Sequence, residues 1–470
     1  MIRFGAPRAI AFFVWVLCAA LSFGAFAAPD FKPTRIDGSP LWPVHYFAPA
    51  DPAKITGLVI LISDNQGWDD AASALAEHLT QSGRVVTGLE LPVYRAALAK
   101  ETYPCVLFVR DMETFSRNVE ETLPLTQYQP PIILGIGAGS AIAYATAGTV
   151  LPNTFAAGIG LRFDPVIDLG HRLCLPLADP SAPAPTSGPV RYGPVSDHET
   201  PFFFTPSASF ASQGGGLNDF VSAMKQAHPV ADKGNDMATV DAAIAELSKL
   251  GKAESSIDGL PVVEIQPNPA LAGRRPLVVF YSGDGGWRDI DKKIGAYLGD
   301  RGYPVVGIDS LRYFWRRKSP ETMAGDLDRL IRHYRALARD NGVMLVGYSF
   351  GADVMPFMVS RMARDTKAEV KSISLLGIAD RASFEIRLQG ILGARNTDGP
   401  ATLPELMKLH GIPIQCVYGE AEQDSVCAQK ELDGLVDRVE VKGGHHFDGD
   451  YLGTADLIMA ADKARASKEK

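Results

Sequence analysis

The sequence predicts an α/β protein built twice over: two tandem domains, each a mostly parallel sheet flanked by helices. Three observations carry this. The chain has 470 residues, more than one ordinary hydrophobic core accommodates. Short, continuously apolar runs read as strands buried on both faces, and they alternate with helical stretches such as Asp70–Gln81, Ile290–Arg301 and Ala324–Ala338, the pattern of a parallel sheet wrapped by helices. The same order of segments then recurs.

The repeat is legible residue by residue. Leu58-Val-Ile-Leu-Ile-Ser63 and the following Asp64-Asn-Gln-Gly-Trp68 match Leu277-Val-Val-Phe-Tyr-Ser282 and Gly283-Asp-Gly-Gly-Trp287. Ile36-Asp37-Gly38 matches Ile257-Asp258-Gly259, and Ser82-Gly83-Arg84 matches Arg301-Gly302-Tyr303. Leu134-Gly-Ile-Gly-Ala-Gly139 matches Val346-Gly-Tyr-Ser-Phe-Gly351, and Pro201–Phe204 matches Pro413–Cys416. A repeat this long means two domains of one architecture, because solenoid periods are far shorter. The helical stretch Met237–Leu250 closes the first copy, and polar Gly251–Ser256 is the boundary, giving domains 28–254 and 255–470.

Residues 1–27 read as a signal peptide. Arg3 and Arg8 precede the apolar run Ala9–Leu21, too short to span a bilayer, and Ala25-Phe26-Ala27 offers a cleavage site. Export permits disulfides. Of the four cysteines left after cleavage, Cys416 and Cys427 are close enough in sequence to bridge a loop, which leaves Cys105 with Cys174 or as free thiols. The net charge of −8, with no basic stripe, excludes a nucleic-acid binder.

Chemistry concentrates in the second copy. Gly347-Tyr348-Ser349-Phe350-Gly351 follows the strand Val343–Val346 and precedes the helical run Ala352–Met362. This is the context of a nucleophile elbow, where small flanking residues allow a sharp turn that exposes the serine hydroxyl at the sheet edge. The sequence thereby predicts α/β-hydrolase-like domains. A serine needs a base, and here the acid and the histidine follow it in that order. After the strand Ile412–Tyr418 comes Gly419-Glu420-Ala421-Glu422-Gln423-Asp424. Asp424 is the expected acid, since in this fold the acid lies several residues past its strand; Glu420 and Glu422 are alternatives. After Val439–Val441 comes Gly443-Gly444-His445-His446-Phe447-Asp448. His445 is the expected base and His446 the alternative. Adjacent histidines on extended chain point apart, so no metal is expected.

The oxyanion of acyl transfer needs donors. One is the backbone N–H of Phe350, and the other that of Gly283 or Asp284 in the glycine-rich loop Gly283–Gly286. No Walker lysine accompanies that loop, and no cofactor is expected. In the first copy Gly137 stands at the elbow, Ser140 lies three residues beyond, and Asn65 and Gln66 replace oxyanion-loop residues. That copy is read as non-catalytic.

With Ser282-Gly-Asp-Gly-Gly-Trp287, Gly347-Tyr-Ser-Phe-Gly-Ala-Asp353 and Gly443-Gly-His-His-Phe-Asp448, the chain resembles the VirJ/AcvB family of bacterial periplasmic proteins, in its long form with an extra N-terminal half. The resemblance implies a periplasmic hydrolase that releases lysine or alanine from aminoacyl-phosphatidylglycerol, an aminoacylated anionic phospholipid. A cationic amino group calls for a carboxylate nearby, and Asp353, Asp284 and Asp448 are the candidates. Leu311-Arg-Tyr-Phe-Trp-Arg-Arg-Lys318 could meet an anionic membrane surface peripherally. A soluble-ester esterase or thioesterase, and a non-catalytic docking factor for secretion or virulence, are the competing expectations.

Overall fold

The computed structural model describes residues 41, 44–100, 105–106, 108–171, 173, 188–196, 198–212, 215–250, 256–257, 259–271, 275–338, 341–387, 399–422 and 425–468. The expected signal peptide, the Ile36-Asp37-Gly38 element of the repeat and Cys174 lie outside these residues. Two large sheets organise the chain. The first contains β1 (His45–Phe47), β2 (Gly57–Ile62), β3 (Arg84–Leu89), β4 (Ile132–Ile136), β5 (Ala157–Phe163), β8 (Phe202–Pro206) and β9 (Ala227–Pro229). A two-stranded ribbon of β6 (Val166–Ile167) and β7 (Val190–Arg191) stands apart. The second sheet contains β10 (Ser256–Ile257), β11 (Leu260–Ile265), β12 (Leu277–Tyr281), β13 (Val305–Ile308), β14 (Val343–Tyr348), β15 (Val370–Leu376), β16 (Ile414–Gly419) and β17 (Val436–Val441).

The spatial orders are β1-β3-β2-β4-β5-β8-β9 and β10-β11-β13-β12-β14-β15-β16-β17. Apart from the extra β10, they are the same order. In each sheet the first strand of the shared order runs antiparallel to its neighbour and the rest pair parallel. The repeat in the sequence is therefore a repeat of topology, and both halves are α/β-hydrolase-like.

The central strands form because they are apolar throughout. Every residue of β2, β12 and β14 is buried, and full burial of each large aliphatic side chain stabilises by about 1.5–3 kcal/mol. Helices cover both faces. Asp70–Gln81 is capped by Asp69, which accepts the Ala72 N–H at 2.8 Å, and it buries Ala72, Leu75, Ala76 and Leu79 on one stripe. Trp287 is buried beneath its loop. A Cβ on Gly307 would meet the Trp287 ring at 2.3 Å, and one on Gly88 would meet Trp68 at 2.2 Å, so each half keeps a strand glycine to seat its tryptophan.

Where strand and helix ends differ from expectation, the cause is local. β14 runs on to Tyr348 and its helix, Phe350–Val359, starts at once, because the single residue Ser349 makes the whole turn. β17 begins at Val436, earlier than the expected Val439, because as an edge strand it tolerates the polar Asp437 and Arg438.

Candidate active site

Ser349 occupies the sharp bend between β14 and the helix Phe350–Val359. Its backbone sits at φ 50 and ψ −117, a region that costs a non-glycine residue of order 1–3 kcal/mol. The bend is held by the Ser349 N–H donating to Leu376 O at 2.8 Å and by Asp353 N–H donating to Ser349 O at 3.0 Å. The helix then passes so close to β12 that a Cβ on Gly351 would fall 2.3 Å from Tyr281 O. This close approach is why the motif needs a glycine there. Strain, turn and helix together lift the hydroxyl over the sheet edge and set a helix N-terminus behind it.

His445 Nε2 lies 2.7 Å from Ser349 Oγ, and His445 Nδ1 lies 2.6 Å from Glu422 Oε1. The three side chains form one hydrogen-bonded line. The acid is a correction: the imidazole nitrogen expected to meet Asp424 is taken by Glu422, so the line is Ser-His-Glu and not Ser-His-Asp. Asp424 itself lies outside the described residues. The reason is the path of the loop after β16. Glu422 N–H donates to Gly419 O at 2.9 Å and its Oε2 accepts Gly419 N–H at 2.8 Å, so the chain folds back at once and the carboxylate reaches the sheet edge early.

The acid loop is also tied to the histidine loop. Glu420 N–H donates to Val441 O at 2.8 Å and Ala421 N–H to Gly443 O at 3.0 Å. Cys416 and Cys427 form the expected disulfide, with Cα atoms 5.8 Å apart, and so close the segment that carries Glu422. Gly377, at φ 66, makes room for the imidazole: a Cβ there would stand 2.9 Å from His445 Cε1. Burial works against a charged His445, but the hydrogen bond and charge of Glu422, with Asp353 and Asp284 beyond, raise its pKa above the ordinary histidine value. The imidazolium is the state this site favours after taking a proton.

The remaining expected residues sort themselves by contact. His446 is exposed, and its Nδ1 lies 3.1 Å from Tyr348 Oη, so it packs beside the array and does not join it. Asp353 accepts Ala379 N–H at 2.7 Å, and burial beside Asp284 and Asp380 pushes its pKa up to about 7 although His445 pulls it down. Asp448 is exposed at φ 54, its backbone lying against Gly443. Among the described residues no hydrogen bond joins Asp448 to the array, so Asp353 and Asp284 are the carboxylates at the site.

The N-terminal half shows where an oxyanion would sit. Gly137 repeats the elbow at φ 53 and ψ −119. Asp64 Oδ1 there accepts Ala138 N–H at 2.9 Å and Asn65 N–H at 2.7 Å. In the repeat these donors correspond to Phe350 and Asp284. A single carboxylate oxygen thus marks the point on which the two backbone N–H groups converge. Of the two early-loop candidates, Asp284 is the one that matches Asn65 in the repeat.

The N-terminal elbow differs from that of Ser349 in two places. A Cβ on Gly137 would strike the Asp64 carboxylate at 2.3 Å. Leu161 O and Leu376 O accept the two elbow N–H groups, so Arg162 corresponds to Gly377. Arg162, at φ 55, leaves none of the room that Gly377 opens for an imidazole, and it pairs with Asp236 at 2.6 Å. What remains is a cavity of about 420 Å³ lined by apolar residues such as Leu91, Ile142 and Val166 and by the polar Asn65, Arg162 and Asp164.

The basic-aromatic segment does not present the face expected of it. Leu311, Tyr313, Phe314 and Trp315 are core residues. Arg316 donates to Leu125 O at 2.8 Å and to Leu123 O, and Lys318 lies over the Tyr313 ring. The apolar side chains of the segment fill the core, while Arg317 is exposed.

Among solved structures the chain is similar to a thioesterase domain from the curacin biosynthetic pathway (18% identity, 44% of this chain and 97% of that one, TM-score 0.32). It is also similar to Est1E from Butyrivibrio proteoclasticus (12%, 45% and 97%, 0.34) and to MenH from S. aureus (14%, 44% and 98%, 0.34). No curated protein matches the sequence. Residues 276–466, which hold all three motifs, match the family described as "Bacterial virulence protein (VirJ)".

Proposed function

We propose that this chain is a periplasmic serine hydrolase that cleaves the aminoacyl ester of aminoacyl-phosphatidylglycerol, releasing the amino acid and phosphatidylglycerol. The observation that carries the reading is the unbroken line from Ser349 Oγ through His445 to Glu422. A hydroxyl in hydrogen-bond contact with an imidazole whose far nitrogen is held by a carboxylate is equipped for nucleophilic acyl transfer.

The steps follow from the atoms. Ser349 Oγ bonds to the ester carbonyl carbon while His445 Nε2 takes the hydroxyl proton. The carbonyl oxygen becomes an oxyanion and is received by the N–H groups of Phe350 and Asp284. Glu422 keeps the Nδ1 proton in place and stabilises the imidazolium. Collapse breaks the bond to the glycerol oxygen, which leaves with the proton from Nε2. Water then attacks the aminoacyl-serine, giving its proton to the same nitrogen, and the free amino acid departs as Ser349 recovers its hydrogen.

The substrate class rests on the family resemblance and on charge. Asp353 and Asp284 stand close enough to His445 to act on its proton affinity, and Asp284, joined by Asp353 once pH exceeds about 7, supplies negative charge where a cationic α-amino group would be held. The test is amino-acid release from vesicles containing lysyl- or alanyl-phosphatidylglycerol by the purified mature chain. Release that disappears in Ser349→Ala supports the reading. Release that survives it defeats the mechanism, turnover of soluble esters alone points to an esterase or thioesterase, and no turnover of either points to a docking role.

A further inference from the structure

We infer that the N-terminal half, which lacks a nucleophile, is a positioning element for the oxyanion loop of the C-terminal half, acting through Glu113 and Asn153. The inference rests on the reading of Ser349 as a hydrolytic nucleophile. The loop from Gly283 to Arg288 contains three glycines and has little stiffness of its own. Within its own half it is held by a turn, with Gly286 N–H donating to Gly283 O at 3.1 Å, and by the buried Trp287 ring.

Ser282 Oγ donates to Gly283 O at 3.2 Å and Asp291 N–H to Arg288 O at 3.2 Å, and further support comes from the other half. Asn153 Nδ2 donates to Trp287 O at 3.0 Å. Arg288 Nη1 donates to Glu113 Oε1 at 2.8 Å and to Thr154 Oγ1 at 2.9 Å. The Arg288 guanidinium lies directly on the loop, since a Cβ on Gly285 would meet it at 2.8 Å. The donor expected from Asp284 sits one residue away. The pair is no ordinary surface contact: the Arg288 and Glu113 side chains are only 15% and 25% exposed. Burial opposes ionisation of Glu113, yet Arg117 and Arg288 together hold its pKa below the ordinary value.

The contrast between the halves gives the clamp its meaning. In the N-terminal half the corresponding loop is held from inside, by Asp64 filling the hole, and Trp68 is followed by Asp69, which caps its own helix. In the C-terminal half the hole must stay open for substrate, so no carboxylate can fill it as Asp64 does. An added brace comes from across the interface.

The test uses the full mature chain. The readouts are the second-order rate at which a fluorophosphonate labels Ser349, and kcat and KM for aminoacyl-phosphatidylglycerol. Glu113→Gln and Arg288→Met are each expected to slow labelling and kcat about 10–100-fold, less than the about 10²–10³-fold of an oxyanion donor removed outright. KM and the thermal transition are expected to stay near wild type. The double variant should be no worse than the poorer single one, because the two residues act as one contact, and Arg288→Lys should recover part of the loss. Asn153 sits at φ 64, so Asn153→Gly deletes the Trp287 contact without backbone strain and serves if Glu113→Gln does not fold. Gln127→Ala removes a cross-half bond to Gly259 O, outside the loop, and should leave both rates unchanged. Folded Glu113, Arg288 and Asn153 variants with wild-type rates overturn the inference, as does a loss in KM alone or an equal loss in Gln127→Ala. A wild-type chain that neither labels nor turns over overturns the hydrolase reading first.

Discussion

Ser349 and Gly137 hold the same backbone conformation, φ/ψ 50/−117 and 53/−119, although only one of them carries a hydroxyl. The bend belongs to the fold, and the residue placed on it decides whether the half can react. In one half the bend carries the strain of a side chain; in the other, glycine relieves it.

That strain is measurable. Ser349→Gly should abolish labelling by a fluorophosphonate and at the same time stabilise the chain by about 1–3 kcal/mol, the usual cost of such a conformation. Ser349→Ala should be equally inert without the gain. Chemical denaturation of the three proteins checks this, and a glycine variant less stable than wild type would remove strain from the account of the elbow.

Glu422→Gln should lower kcat about 10³–10⁴-fold, as expected when the imidazole loses the acid that fixes its tautomer. Asp424→Asn should leave kcat at the wild-type level. Steady-state kinetics on the pair distinguish the two acids, and the reverse ranking would return the role to Asp424.

The pH profile follows from His445. The base must be neutral to accept the serine proton, and Glu422, Asp353 and Asp284 outweigh burial and raise its pKa. The acid limb of kcat/KM should therefore titrate above the ordinary histidine value of about 6.5, with activity rising through it. In Glu422→Gln that limb should move to lower pH, whatever residual rate remains.

Asp353 gives a stability prediction of opposite sign to that of most carboxylates. Its pKa of about 7 in the folded chain lies above the value of about 3.9 for an unfolded chain. The folded state therefore holds the extra proton between those values, and this group's contribution to stability falls as pH rises from roughly 4 to 7. Asp353→Asn keeps an acceptor for Ala379 N–H and removes the titration, so it should match wild type near pH 4 and exceed it near pH 8 in denaturation midpoint. If Asp353 also meets the substrate ammonium, the same variant should raise KM for the aminoacyl lipid and leave a neutral ester unaffected.

Some of this was written locally in the chain and some was not. Apolar runs, the Gly-x-Ser-x-Gly bend and Gly443-Gly444-His445 act over a few residues, where backbone sterics and burial on two faces leave little choice. The sequence alone therefore determined the two sheets, the repeat, Ser349 and His445. It could not choose among Glu420, Glu422 and Asp424, because three carboxylates in five residues are alike to any local rule. The choice is made by the fold-back onto Gly419, the disulfide at Cys416 and the hydrogen bonds to the histidine loop. Nor could it show Asp64 lying in the N-terminal hole, the burial of Tyr313, Phe314 and Trp315, or Glu113 reaching Arg288 across the interface. Those contacts join residues far apart along the chain, and only tertiary packing, within each half and between the two, brings them within reach.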